Sequence, residues 1–133
     1  VDLCNYVSMK HVLPVAAYDL DHISGPVVVS LARGDEPFLP LYAKEIEYPK
    51  PGEVAFTDDE GALSRRWTWR QSDRAKSTPK TRNALLTIEG VNEITRAAID
   101  AAMEELVSLV REYNGGEVSW SMVDRDHPWS VME

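Results

Sequence analysis

The sequence predicts an α+β domain: mixed, mainly antiparallel sheets with a long C-terminal helix packed on them. Three observations lead there. Residues 93–113 repeat apolar side chains at three and four, the period of an amphipathic helix. Residues 53–57 and 62–70 are strand-like runs on either side of Asp58-Asp59-Glu60-Gly61, a hairpin turn signal. Residues 81–89 alternate apolar and polar positions with a period of two. Strands followed by one long helix and a return strand belong to α+β architectures.

Taken in order, residues 2–12 predict a first helix. Asp2 is placed to cap it, Leu3, Tyr6, Val7 and His11 fall at helical spacing, and Pro14 stops it. Pro14–Asp21 is a short strand or turn leading into a loop. Val27–Ala32, rich in β-branched residues after Gly25-Pro26, predicts a buried strand. Four prolines make 33–52 loop-rich, with room for one edge strand near Phe38–Tyr42. The hairpin follows, with Gly61 supplying the positive φ of its turn. On its second strand, alternation puts Leu63, Arg65, Trp67 and Trp69 on one face. Residues 71–80 form a polar loop. In 81–89, Ala84, Leu86 and Ile88 face the core, while Thr81, Asn83, Leu85, Thr87 and Glu89 share the other side. The long helix runs over Glu93–Tyr113 with Asn92 as N-cap, and Asn114-Gly115-Gly116 ends it. Glu117–Val123 alternates as a last strand. The domain is expected over residues 1–123, with 124–133 as a tail.

The composition, 44% hydrophobic and 27% charged over 133 residues, fits one globular domain with a real core. No apolar run approaches 18 residues, so no membrane span is expected. One cysteine excludes an internal disulfide and fits a reducing compartment. A start at Val1, inside a predicted helix, leads to the expectation of an upstream segment. The net charge of -8 argues against indiscriminate coating of nucleic acid but leaves room for a local basic site.

That local site is Arg65–Arg82. It holds seven of the fourteen basic residues, two of the four tryptophans and a single acid, Asp73. Arginine and lysine beside indole rings contact phosphates and stack on bases. The competing readings are a surface that serves solubility, and tryptophans that belong to the core. The strip Thr81, Asn83, Thr87, Glu89 offers hydrogen-bonding groups at period two, which recognise a ligand if a cleft covers them. His11, His22 and His127 are far apart and Cys4 lacks a partner at zinc spacing, so no metal is expected. No nucleophile elbow or glycine-rich phosphate loop is present, and no cofactor is expected. The acidic tip Asp58-Asp59-Glu60 and the pair Asp19/Asp21 are accounted for by turn chemistry.

Two runs resemble the opening of the B3/B4 editing module of the phenylalanyl-tRNA synthetase beta subunit. They are Val1-Asp2-Leu3-Cys4-Asn5-Tyr6-Val7 and Leu13-Pro14-Val15-Ala16-Ala17-Tyr18-Asp19-Leu20-Asp21-His22-Ile23-Ser24-Gly25. Thr81-Arg82-Asn83-Ala84-Leu85-Leu86 resembles that family's E-T-x-N-V-L-L-E strand. Trp67-Thr68-Trp69-Arg70-Gln71-Ser72-Asp73 is more similar to the stand-alone bacterial relatives of the module. The resemblance implies a B3/B4-like fold, a cytoplasmic setting, and hydrolysis of the ester joining a wrong amino acid to a tRNA, without metal or covalent nucleophile. It implies Asn5, Thr87 and Glu89 as catalytic residues, and Asn83, Trp69, Gln71 and Ser72 in substrate binding. Arg70, Arg74, Lys76, Lys80 and Arg82 would contact the tRNA acceptor end. Four places depart from the family pattern. Cys4 replaces a threonine, Ala16 a histidine, Thr87 the carboxylate that closes the strand, with Glu89 two residues on, and the bulkier Trp69-Arg70-Gln71-Ser72 the glycine pair before the loop. Two other readings stand beside hydrolysis: a module that binds aminoacyl-tRNA or an amino acid without turnover, and a structural or protein-interaction domain.

Overall fold

A computed structural model describes residues 1–91 and 96–132. In chain order the elements are α1 (Asp2–His11), β1 (Val15–Asp19), a 3-10 turn (Leu20–His22), β2 (Val28–Leu31), β3 (Val54–Asp58), β4 (Gly61–Arg65), β5 (Arg70–Gln71), β6 (Ala84–Ile88) and α2 (Arg96–Tyr113). The expected N-cap Asn92 and a helix start at Glu93 lie outside the described residues.

Among the described residues all strand pairing is antiparallel and falls into two sheets. One pairs β1 with β6; the other has the order β2-β3-β4-β5. Period-two alternation makes the small sheet the middle layer. Val15, Ala17, Leu86 and Ile88 pack with Cys4, Val7, Leu13, Ala102 and Leu106 of the helical layer. Ala16 and Leu85, on the other side, join Tyr18, Phe56, Leu63 and Ala75 between the sheets. The fold is thus helices, a two-stranded sheet, then a four-stranded sheet.

The long helix keeps the expected stripe, with Ala102, Leu106 and Val107 buried, but Tyr113 is exposed. In α1 the buried residues are Cys4 and Val7, and Tyr6 faces solvent. Asp2 stands in the first turn and makes no capping hydrogen bond. The helix ends before Pro14 through Val12, whose φ of 55° is left-handed.

Four expectations are corrected. Val28–Leu31 is a strand, but all four of its residues are exposed: β2 pairs only with β3 and its residues belong to neither core cluster. Phe38–Tyr42 holds only the isolated bridges Phe38–Glu47 and Pro40–Ser72; Pro40 has no N–H with which to extend a ladder. The second hairpin strand stops at Arg65. Arg66 and Trp67 take φ of 51° and 65°, and the chain reverses into β5, so strand alternation does not reach either tryptophan. Glu117–Val123 is not a strand. Arg111 donates to the Val118 carbonyl and Arg96 pairs with Asp124, which lays this run along α2. Fifteen helical residues span roughly 22 Å and six extended residues roughly 20 Å, so the lengths match. A helix has no free backbone edge to pair with.

All five residues of β4 are buried. The 33–52 loop covers it from outside: Phe38 is fully buried beneath the Arg65 guanidinium, and the Ala62 N–H bonds to the Pro37 carbonyl at 3.0 Å. A Cβ at Gly61, φ 146°, would run into that same carbonyl.

Candidate functional site

The turn between β4 and β5 is the least ordinary stretch of backbone. Two consecutive non-glycine residues in the left-handed region are uncommon and cost energy that the surroundings must supply. The Trp67 N–H bonds to the Val54 carbonyl at 2.8 Å, and the Ser64 hydroxyl donates to the Trp67 carbonyl at 2.7 Å. Those bonds pin the turn to β3 and β4. Between the turn, the end of α1 and the start of β1 lies a cavity of about 380 Å³, lined by Ser8, Pro14, Val15, Arg66, Trp67, Thr68 and Trp69.

Behind its wall stands Glu89. The Glu89 N–H bonds to the carbonyl of Pro14, a lining residue, at 3.2 Å. Its Oε1 accepts from the Thr87 hydroxyl at 3.0 Å, while Oε2 is buried without a hydrogen-bond partner among the described residues. Burial pushes this carboxyl up to about 6, against the opposing influence of the Thr87 hydroxyl and of the nearby Trp67 and Thr68 side chains, both of which line the cavity. Nearby, Tyr18 is fully buried and stacked on Phe56, and its hydroxyl has no partner within hydrogen-bond range among the described residues. Burial raises it to about 12, against the lowering influence of the Ser64 hydroxyl and with the Glu89 charge adding to the rise.

The other expected site residues are distributed differently. Asn5 is exposed on α1, one turn before the cavity residue Ser8, and does not join Thr87 and Glu89. The polar strip divides. Thr81 donates to Asp19 and Asn83 to Asp21, whereas Thr87 and Glu89 meet at the opposite end. Six extended residues, roughly 20 Å, separate Asn83 from Glu89. Gln71 bridges the sheets by donating to the Ala17 carbonyl at 2.7 Å. Ser72 is buried and accepts from the Arg74 N–H. Trp69 is 74% exposed, with the Arg66 guanidinium 5.4 Å from its ring centre.

The basic stretch has far more acidic partners than its own sequence contains. Arg65, 5% exposed, binds Glu53 through two nitrogens and also reaches Glu47. Arg70 grips Glu47, Arg74 grips Asp58, and Lys76 pairs with Asp73 at 2.7 Å. Arg65 holds the Glu53 carboxyl down at about 2. Lys80 and Arg82 are exposed, with no carboxylate in ion-pair range among the described residues. His11, His22 and His127 lie beside Glu105, Asp19 and Asp124 respectively, and no metal-binding cluster occurs among the described residues.

Sequence reasoning passed over Ser8, Tyr18, Arg66 and Thr68 as site residues. Only Tyr18 carried a usable signal, because it shares the β1 face with Ala16.

The B3/4 domain family model matches residues 1–115. The phenylalanine–tRNA ligase beta subunit of Psychrobacter arcticus is 34% identical over 98 residues, 74% of this chain and 12% of that protein. That of Ruegeria pomeroyi is 38% identical over 64 residues, 48% of this chain and 8% of that protein. The chain therefore spans about a tenth of the length of these relatives. Among solved structures, an N-terminal fragment of the phenylalanyl-tRNA synthetase beta subunit from Pyrococcus horikoshii superposes with a TM-score of 0.68. That match is 18% identical and covers 84% of this chain and 38% of the other, a likeness of fold. With the match running from α1 to the end of α2, this chain belongs to the B3/4 domain family.

Proposed function

We propose that this chain acts as a stand-alone aminoacyl-tRNA deacylase, hydrolysing the ester of a mischarged tRNA in the cytoplasm. The observation that carries the reading is the half-buried Glu89 carboxylate, with one oxygen held by Thr87 and the other buried, without a partner among the described residues, behind the wall of an open cavity. A carboxyl near 6 is ionised at neutral pH yet basic enough to take a proton in the transition state. Glu89 removes a proton from water as its oxygen attacks the ester carbonyl carbon. The carbonyl–ribose oxygen bond then breaks, the proton passes to the departing ribose oxygen, and free amino acid leaves. Thr87 orients the carboxylate. Asn5, a turn from Ser8, contacts the incoming aminoacyl end. No metal or cofactor takes part in this scheme.

The tRNA acceptor end meets Lys80 and Arg82, two exposed cations at the C-terminal end of the basic stretch. Arg70, Arg74 and Lys76 hold that stretch in shape through Glu47, Asp58 and Asp73. A specific observation favours a second reading, a binding module without turnover. Ala16 and Thr87 face each other directly across β1 and β6. These are the two positions at which the family pattern has a histidine and a carboxylate, so that pair is lost as a unit. Incubation with a panel of mischarged tRNAs separates the readings. Enzyme-dependent release of amino acid supports hydrolysis; binding of every tRNA with release from none supports the module.

A further inference from the structure

We propose that Arg66 and Trp69 form a stacking platform, at the mouth of the 380 Å³ cavity, for a nucleobase that carries a 5′-phosphate. This goes beyond hydrolysis, because it requires binding alone.

Arg66 stands apart from its neighbours. Glu53, the carboxylate beside it, is taken up by the Arg65 side chain and by the Arg66 backbone N–H at 3.2 Å. The Arg66 guanidinium has no carboxylate in ion-pair range among the described residues, whereas Arg65, Arg70, Arg74 and Lys76 each have one. It lies instead over the Trp69 ring, which covers one face of the indole and, at 74% exposure, leaves the other in water. The two side chains are brought together by the left-handed turn at Arg66 and Trp67. Beneath them the cavity has apolar walls at Pro14 and Val15 and hydroxyls at Ser8 and Thr68. Its volume falls in the range of small-molecule pockets, roughly 300–1,000 Å³.

An open indole face takes a flat π-system, and an unneutralised guanidinium takes an anion, most tightly a phosphate. A nucleobase with its 5′-phosphate satisfies both groups at once. An acidic peptide satisfies only the guanidinium. The nucleotide is either free or the terminal residue of an RNA strand, and the two sources share this chemistry.

The test follows the indole N–H resonances of the whole chain during titration with adenosine 5′-monophosphate, adenosine and ribose 5-phosphate. The expected order of affinity is monophosphate, then adenosine, then ribose 5-phosphate, with the Trp69 resonance moving most. Trp69→Leu should weaken monophosphate binding by roughly tenfold, and Arg66→Gln should bring it down to the level of adenosine. Both side chains are exposed, so thermal midpoints should stay at the wild-type value. An RNA hairpin with a single-stranded CCA end distinguishes the sources. Tighter binding than the monophosphate, lost when the terminal adenosine is removed, identifies an RNA end; no gain identifies a free nucleotide. Ribose 5-phosphate or an oligoglutamate peptide moving Trp69 as strongly as the monophosphate would overturn the proposal. So would wild-type affinity in Trp69→Leu. Nucleotide binding by a chain that hydrolyses no ester leaves the platform standing and removes only the deacylase reading.

Discussion

Glu89→Gln should make the protein more stable at neutral pH, and the size of the gain should depend on pH. Glu89 titrates at about 6 in the folded chain, against an ordinary value of 4.5. The folded state therefore binds its proton more tightly than the unfolded state does. Stability is unaffected by this group below about 4.5, falls as pH rises through the interval from 4.5 to 6, and stays lower above it. Solvent screening of this half-buried group makes about 2 kcal/mol at pH 7 the upper value of the difference. Glutamine keeps an acceptor for the Thr87 hydroxyl and is neutral at all pH values. For a domain of this size, 2 kcal/mol is about 6–10 °C in thermal midpoint. Melting curves of wild type and Glu89→Gln at pH 4, 5, 6, 7 and 8 read it directly. The gap should be near zero at pH 4 and open to its full value by pH 7. A variant less stable than wild type at pH 7, or a gap constant across the series, would refute the claim that burial of an ionised Glu89 is a cost the fold carries.

Three further outcomes follow from the ion pairs and the core. Arg65→Ala strands Glu53 in a largely buried position and should cost about 3–5 kcal/mol in denaturant titration; below pH 4.5, as Glu53 protonates on the way to its folded value of about 2, wild type should lose part of the same stabilisation. Lys80→Ala and Arg82→Ala should each reduce the salt dependence of tRNA binding with unchanged melting, whereas Arg74→Ala should lower the thermal midpoint, because its partner Asp58 is buried; equal effects of all three on both readouts would contradict the division. Cys4 is buried in the helical core with its thiol pushed up, so a thiol reagent should label it only on unfolding, and rapid labelling of the native chain would place α1 elsewhere.

What was legible in the sequence was local. The stripe of α2, the Asp58–Gly61 turn and the alternation of β6 each report their own geometry over a few residues, and each is present. The turn at Arg66 and Trp67 was not legible, because left-handed backbone is normally signalled by glycine or asparagine and neither occurs there. Its location ended β4 early and moved both tryptophans off the strand. The run 117–123 alternates like a strand, yet lies along a helix, since alternation says nothing about whether a pairing edge is within reach. Ion pairing was illegible for a similar reason. Arg65–Arg82 contains one acid, but Glu47, Glu53 and Asp58 arrive from other stretches of chain. In the candidate site, Thr87 and Glu89 were found from period two alone, whereas their separation from Asn5 follows from which side of α1 faces the core, and its weak apolar pattern did not encode that.

The most direct measurement is the pH–rate profile for release of amino acid from a mischarged tRNA that the chain accepts. With Glu89 as the base, the rate should rise through about pH 6 and level off above it, and Glu89→Gln should lower the plateau by roughly 100- to 10,000-fold while tRNA binding is kept. A profile that is flat across pH 5 to 8, or a Glu89→Gln variant that releases amino acid at the wild-type rate, would contradict the account.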